Sequence, residues 1–185
     1  MCGMFVSTRL KSWWVRGPDE MRRLFNLLGF LACVFLLGYA YYLQYVMGLP
    51  PCPLCIFQRI FMGLLGFVFL LATLHRSGRL GSRVYGLLLL ILGFLGATVS
   101  MRQIWLQYFT TRVPTSCAAG LGWMFRHLPP IEALRLVLAG SGNCARIDWT
   151  FLGLSMPVWV LVCFVFLASF GAWINFKAGR KKPIR

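Results

Sequence analysis

A chain of 185 residues that is 59% hydrophobic, 16% aromatic and only 12% charged, with a mean hydropathy of +0.73, lies outside the composition of soluble globular domains. An ordinary water-soluble enzyme is excluded, and a membrane protein is left. The formal charge of +15 could point to nucleic acid, but the basic residues gather at the edges of long apolar runs, which argues against that partner.

In chain order, residues 1–23 form a basic, partly aromatic tail. Trp13 and Trp14 beside Arg16 suit a membrane interface, and little fixed structure is expected there. No charged residue separates Arg23 from Arg59, and residues 60–74, 84–101 and 149–176 are likewise uncharged. A spanning helix needs about 17–25 mostly apolar residues, so the pattern predicts crossings at about 24–46, 56–74, 84–101 and 157–176. Gly48, Pro50 and Pro51 mark a tight turn after the first, and residues 75–83, with two glycines, a turn after the second. Such short connections make antiparallel neighbours. The predicted fold class is an all-α membrane protein, a four-helix antiparallel bundle.

Four crossings put both termini on one side. Arg9, Lys11, Arg16, Arg22 and Arg23 precede the first helix, Arg76, Arg79 and Arg83 lie in the second turn, and Lys177, Arg180, Lys181, Lys182 and Arg185 follow the fourth. By the positive-inside rule that side is cytoplasmic. Residues 1–23 and 177–185 then read as cytoplasmic tails of a membrane domain, 24–176. The first apolar run begins late, continues long and lacks a small-residue cleavage pattern, so it is expected to stay as an anchor.

Residues 102–156 are too many for a turn and are not plainly polar, given Trp123, Met124, Phe125, Leu136 and Val137. Ile131, Leu134 and Leu138 share one helical face. They predict a short helix lying flat on the membrane, started by Pro129-Pro130 and ended by Gly140-Ser141-Gly142.

Four of the seven cysteines, Cys52, Cys55, Cys117 and Cys144, fall on the outer side, where disulfide chemistry is favoured. Cys2 is in the tail. Cys33 and Cys163 lie within the first and fourth helices and read as inert small hydrophobes. Pro53 suits the first position of a helix, so Cys55 falls in the first turn, where free N–H groups and the helix dipole stabilise a thiolate. The thiolate is the nucleophile of disulfide exchange.

Arg59 follows by one turn on the same face, about 6 Å along the axis. Such a cation costs up to ~2.5–3.5 kcal/mol at a bilayer centre. It either snorkels to the interface or stabilises the Cys55 thiolate and an oxygen of a bound electron acceptor; beside a CxxC the second reading is favoured. Zinc needs four ligands, whereas Cys117 and Cys144 are widely separated and His127 is the one histidine on that side. A staple across two residues closes too small a loop to add much stability. Redox exchange is therefore favoured for Cys52 and Cys55. For Cys117 and Cys144, a structural loop disulfide and a second redox pair both stand. The aromatic residues Phe35, Tyr39, Tyr41 and Tyr42 read first as interface belt or bundle packing, and second as part of a cofactor pocket.

The ordered motifs Pro51-Cys52-x-x-Cys55-x-x-x-Arg59, Trp105-Leu106-Gln107, Cys117, Cys144 and Trp149-x-Phe151-Leu152-Gly153-Leu154-Ser155-Met156-Pro157-x-Trp159 resemble the disulfide bond formation protein B (DsbB) family over about residues 24–176. These are bacterial inner-membrane oxidases that recharge the periplasmic dithiol oxidase DsbA. The resemblance implies a thiol-to-quinone relay. A reduced DsbA-like partner would attack a Cys117–Cys144 disulfide at Cys117, Cys144 would exchange with Cys52–Cys55, and Cys55 would pass electrons to ubiquinone or menaquinone held near Arg59. Residues 102–156 would then be periplasmic.

Many members carry a histidine thought to help hold the quinone where this chain has Gln103. Glutamine can still donate a hydrogen bond to a quinone carbonyl but does not titrate near neutral pH. Three other readings compete. A paralogue serving a dedicated DsbA-like partner would look the same. A vitamin K epoxide reductase-like oxidase would carry its CxxC after the loop pair, whereas here it comes first. A four-span scaffold with a stapled loop leaves the Cys55–Arg59 spacing unexplained.

Overall fold

In the computed structural model the described residues are 18–49, 51–75, 78–109, 127–139, 142–145 and 149–178. The elements in order are α1 (Pro18–Tyr45), α2 (Pro53–Leu74), α3 (Arg79–Phe109), α4 (Pro130–Ala139), α5 (Gly142–Ala145), β1 (Thr150–Phe151), β2 (Leu154–Ser155) and α6 (Met156–Ala178). Helices α1, α2, α3 and α6 are long and apolar enough to cross a membrane. The shortest of these, α2 with 22 residues, is about 33 Å long at 1.5 Å per residue, enough for a ~30 Å hydrocarbon core. The four-span all-α bundle expected from the apolar runs is present.

Helix boundaries depart from the expected ones where polar residues continue a helix beyond its apolar stretch. Helix α1 starts at Pro18, not near residue 24, so the last residues of the expected unstructured tail are helical. Helix α3 begins at Arg79 and runs through Arg102 and Gln103 to Phe109, instead of ending near residue 101. A charge ends an apolar run but not a helix: Arg102 Nε donates to the Leu138 carbonyl at 3.0 Å, and Gln103 turns into the interior. The connection after the third span therefore starts beyond Phe109.

The helices run antiparallel, and polar contacts tie the bundle at the end that carries the basic groups. Arg23 Nε donates to the Thr73 carbonyl at 2.9 Å, joining the start of α1 to the end of α2. Asn175 Nδ2 donates to Asn26 Oδ1 at 3.0 Å, and the Ser82 hydroxyl donates to the Asn175 carbonyl, joining α1, α3 and α6. Both asparagines are buried, so pairing removes the penalty each amide would carry in an apolar interior. Deeper in the bundle, Cys33, Met62, Leu65, Phe69, Leu89, Phe164 and Leu167 form one continuous core. Helices α3 and α6 approach closely because Gly93 and Gly96 face Ala168 and Phe164; a Cβ on Gly93 would stand 2.2 Å from that of Ala168.

The short helix foreseen after Pro129-Pro130 is α4, which starts at Pro130. Its Val137 is 2% exposed and packs toward Cys52 and Leu54, while Ile131 and Leu138 stay on the outside. Gly140 and Ser141, proposed as its stop, lie outside the described residues, as do residues 1–17, Cys117, residues 123–125 and the last seven residues of the C-terminal tail. The apolar pattern did not foretell the hairpin of β1 and β2, which pairs Thr150 with Ser155 and Phe151 with Leu154. Leu152 and Gly153 both take positive φ, 53° and 78°, as a two-residue type I′ turn requires.

Candidate redox site

Among the described residues, Cys52, Cys55 and Cys144 gather at the end of the bundle opposite the polar clamp. Cys52 takes extended backbone angles as the N-cap of α2, and its sulfur accepts the Cys55 N–H at 3.4 Å, with Pro53 at the first helical position. The CxxC geometry follows from this cap: one turn of helix returns Cys55 to Cys52, and the two Sγ atoms lie 3.0 Å apart. Cys144, in α5, is fully buried and joins Cys52 in a cluster with Leu54, Val99, Leu106 and Val137. A hydrogen bond with Cys144, then one with Cys55, then burial push the Cys52 thiol well above its ordinary range. The Cys52 S–H donates to Cys55 Sγ, and its sulfur accepts from the Cys55 N–H and from Gln103 Nε2.

One buried amide, Gln103, faces these sulfurs, and a second, Gln58, is bonded to it. Gln103 Nε2 lies 3.3 Å from Cys55 Sγ and 3.5 Å from Cys52 Sγ, and Gln103 Oε1 accepts from Gln58 Nε2 at 2.9 Å. Gln103 is not among the residues that line the adjoining cavity, whereas Cys55, Gln58 and Arg59 are.

That cavity, about 390 Å³, opens between α1, α2, the hairpin and α6. Its walls are largely apolar, with Phe35, Tyr39, Met62, Trp149, Phe151 and Trp159 prominent. Trp149 stacks on Phe151 at 5.9 Å and meets Tyr39 edge-on at 6.3 Å, so the hairpin forms an aromatic wall tied to α1. Trp159 Nε1 donates to the Phe151 carbonyl at 3.1 Å and fixes the hairpin to α6. Of the four aromatic residues on α1, Phe35 and Tyr39 line the cavity. Tyr41 and Tyr42 do not, although the Tyr41 ring lies 5.1 Å beneath the Arg59 guanidinium.

Arg59 is half-buried and held from α1: Nη1 donates to Gln44 Oε1 and Nη2 to the Ala40 carbonyl at 3.1 Å. Its guanidinium thus stands at the cavity wall one turn beyond Cys55. Cys33 is buried, as expected, while Cys163 reaches the cavity lining. Sequence reasoning missed Gln58, Gln44 and the Trp149–Phe151 wall. The available signal was two amides in otherwise apolar helices, one between Cys55 and Arg59 and one near the end of α1.

The arrangement brings Cys52, Cys55 and Cys144 together, sets Arg59 and Cys55 on one cavity, and turns Gln103 to the thiols. It can support thiol–disulfide exchange among neighbouring sulfurs beside a largely apolar chamber. Comparison with known proteins agrees. The profile of the family described as Disulfide bond formation protein DsbB matches residues 22–174. Disulfide bond formation protein B of Xylella fastidiosa is 45% identical over 159 residues, covering 85% of this chain and 92% of that protein. The protein of the same name from Methylococcus capsulatus is 48% identical over 151 residues, covering 80% and 92%. That from Xanthomonas campestris is 46% identical over 152 residues, covering 82% and 88%. The chain therefore belongs to the DsbB family of membrane disulfide bond formation proteins.

Proposed function

We propose that this protein is a thiol:quinone oxidoreductase of the bacterial inner membrane that reoxidises a DsbA-like periplasmic dithiol oxidase. The observation that carries this reading is the meeting of two buried thiols, Cys52 and Cys144, and the half-buried Cys55 with a cavity on which Cys55 and Arg59 both stand. A largely apolar chamber of about 390 Å³ with a polar edge at Gln58 and Arg59 fits a flat, lipid-soluble ring with carbonyl oxygens on its rim. Arg59 and Gln58 would hold ubiquinone or menaquinone by an oxygen, and Phe35, Trp149 and Phe151 by its faces. When bound, the quinone would take up two electrons and two protons and leave as quinol.

The protein's own steps are thiol–disulfide exchanges. A thiolate of the reduced partner attacks a Cys117–Cys144 disulfide at Cys117, forming a mixed disulfide and releasing the Cys144 thiolate. The partner's second thiolate resolves it, so the partner leaves oxidised and the loop pair is reduced. Cys144, packed toward Cys52, then exchanges with the Cys52–Cys55 disulfide, and the two electrons move to the pair at the cavity. In that exchange Cys144 attacks the Cys52 sulfur and expels Cys55 as the thiolate, Cys117 then closes on Cys144, and the released Cys52 takes up a proton. Arg59, held by Gln44 and Ala40, supplies a fixed positive charge at the cavity wall.

The described basic residues Arg22, Arg23, Arg83 and Lys177 belong to the bundle end opposite the cysteines, which supports a cytoplasmic placement for the tails and a periplasmic one for the thiols. The test is quinone-dependent oxidation of reduced DsbA by the purified protein, with ubiquinone and menaquinone compared side by side. Turnover is expected with the wild type and none with Cys52→Ser or Cys55→Ser. Normal quinone reduction by both variants would overturn the proposal.

A further inference from the structure

An amide in an apolar interior carries an unfavourable desolvation unless both its ends are bonded. Gln103 on α3 is 4% exposed and Gln58 on α2 is 6% exposed, and the two are joined by the Gln58 Nε2 to Gln103 Oε1 bond at 2.9 Å. Gln103 directs its N–H end toward the sulfurs, 3.3 Å from Cys55 and 3.5 Å from Cys52, and a protonated Cys55 also reaches Gln103 Oε1 at the longer distance of 3.7 Å.

We propose that Gln103 is a catalytic hydrogen-bond donor to the Cys55 sulfur, and that Gln58 is the positioning residue that keeps the donor end turned to it. The inference rests on the reading of Cys55 as the electron-donating thiolate and assigns Gln103 to the sulfur rather than to the electron acceptor. An N–H aimed at a place where negative charge develops stabilises that charge without reorganisation, and hydrogen bonds to ionised groups are the strong ones. A glutamine supplies this donor with a strength that does not change over the physiological pH range, whereas an imidazole donates from one nitrogen when neutral and adds a second donor and a positive charge when protonated. The cavity is lined by Cys55 and Gln58 but not by Gln103, so the sulfur meets its acceptor on one side and the amide on the other.

The test uses the reduced full-length protein in detergent, without quinone and without DsbA. The rate at which iodoacetamide alkylates Cys55, with displacement of iodide by the sulfur, is followed by mass spectrometry at pH 7. Gln103→Leu is expected to slow Cys55 roughly tenfold, the loss of one hydrogen bond to a charged group. Gln58→Met is expected to slow it about threefold, because the freed amide turns part of the time. Gln103→His restores a donor, and its rate relative to the wild type should climb as pH falls through the imidazole range near 6.5.

A folded Gln103→Leu with the wild-type alkylation rate overturns the proposal, and so does equal slowing at Cys55 and Cys163, which a merely structural role would give. If Gln103→Leu does not fold, Gln58→Met and the pH profile of Gln103→His decide. A protein that passes here but fails to reduce quinone would sink the functional reading and leave the amide donor standing.

Discussion

Cys144 is buried in one cluster with Cys52, the thiol that caps α2, although α2, α3 and α4 lie between them in the chain. A disulfide needs Cα atoms within about 4.4–6.8 Å and Cβ vectors that converge. The juxtaposition predicts that the pair closes directly once Cys55 and Cys117 are removed. In a variant carrying Cys55→Ser and Cys117→Ser, oxidised glutathione should link Cys52 to Cys144 and leave as reduced glutathione. Peptide mapping should find that linked pair as the dominant product. Cys52 and Cys144 each carrying glutathione would mean that the two sulfurs do not reach one another.

Cys52 and Cys55 differ in what surrounds them, and alkylation should separate them. The Cys52 thiol is pushed above its ordinary range by its hydrogen bonds with Cys144 and Cys55 and by burial, so at pH 8 it remains protonated. In the reduced wild type, iodoacetamide should modify Cys55 first. Cys52 should lag and gain rate only as the pH is taken higher. Equal rates for the two at pH 8 would show that Cys52 does not hold its proton in this way.

The spans were readable because an uncharged run of bilayer length has few other uses, and the CxxC with Arg59 was readable because a helical turn places those side chains together. Boundaries were less legible. Arg102 and Gln103 were read as the end of a helix because they end an apolar run, whereas in the fold one bonds the Leu138 carbonyl and the other the thiols. An apolar run likewise carries no sign of what Gln103 packs against, because the face it takes depends on the helix continuing past Arg102. The proximity of Cys144 to Cys52 and the hairpin wall depend on long-range packing, and no local pattern encodes either. Two-residue strands fall below the length at which alternation can be seen.

Close packing of α3 on α6 gives a prediction about stability with an internal control. At Gly93 an added Cβ would sit 2.2 Å from the Ala168 Cβ, with the Phe164 carbonyl oxygen next at 3.4 Å, so helix backbones would have to separate. Gly93→Ala should destabilise the fold by about 1–3 kcal/mol, the range for overpacking. At Gly38, on the exposed face of α1, an added Cβ meets nothing within 4 Å. Gly38→Ala should be neutral or stabilising by up to ~1 kcal/mol, from helix propensity. Unfolding by sodium dodecyl sulfate in mixed micelles compares the two, and a Gly93→Ala as stable as Gly38→Ala would contradict the packing.

Arg59 owes its orientation to α1: Gln44 and the Ala40 carbonyl hold its two terminal nitrogens while the Tyr41 ring lies beneath the guanidinium. If that charge meets an oxygen of the electron acceptor, Arg59→Ala should raise the KM for quinone at least tenfold, the loss of a hydrogen bond involving a charged group. The KM for DsbA, whose thiols are proposed to meet Cys117 instead, should stay within about twofold. Gln44→Leu removes one of three restraints and leaves the charge in place, so its quinone KM should rise less, by about threefold, the loss of one ordinary hydrogen bond. The order of the two variants separates a cation that binds from one that only snorkels: a snorkelling arginine would leave both quinone KM values at the wild-type level, since its contacts with α1 would then serve the helix pair alone.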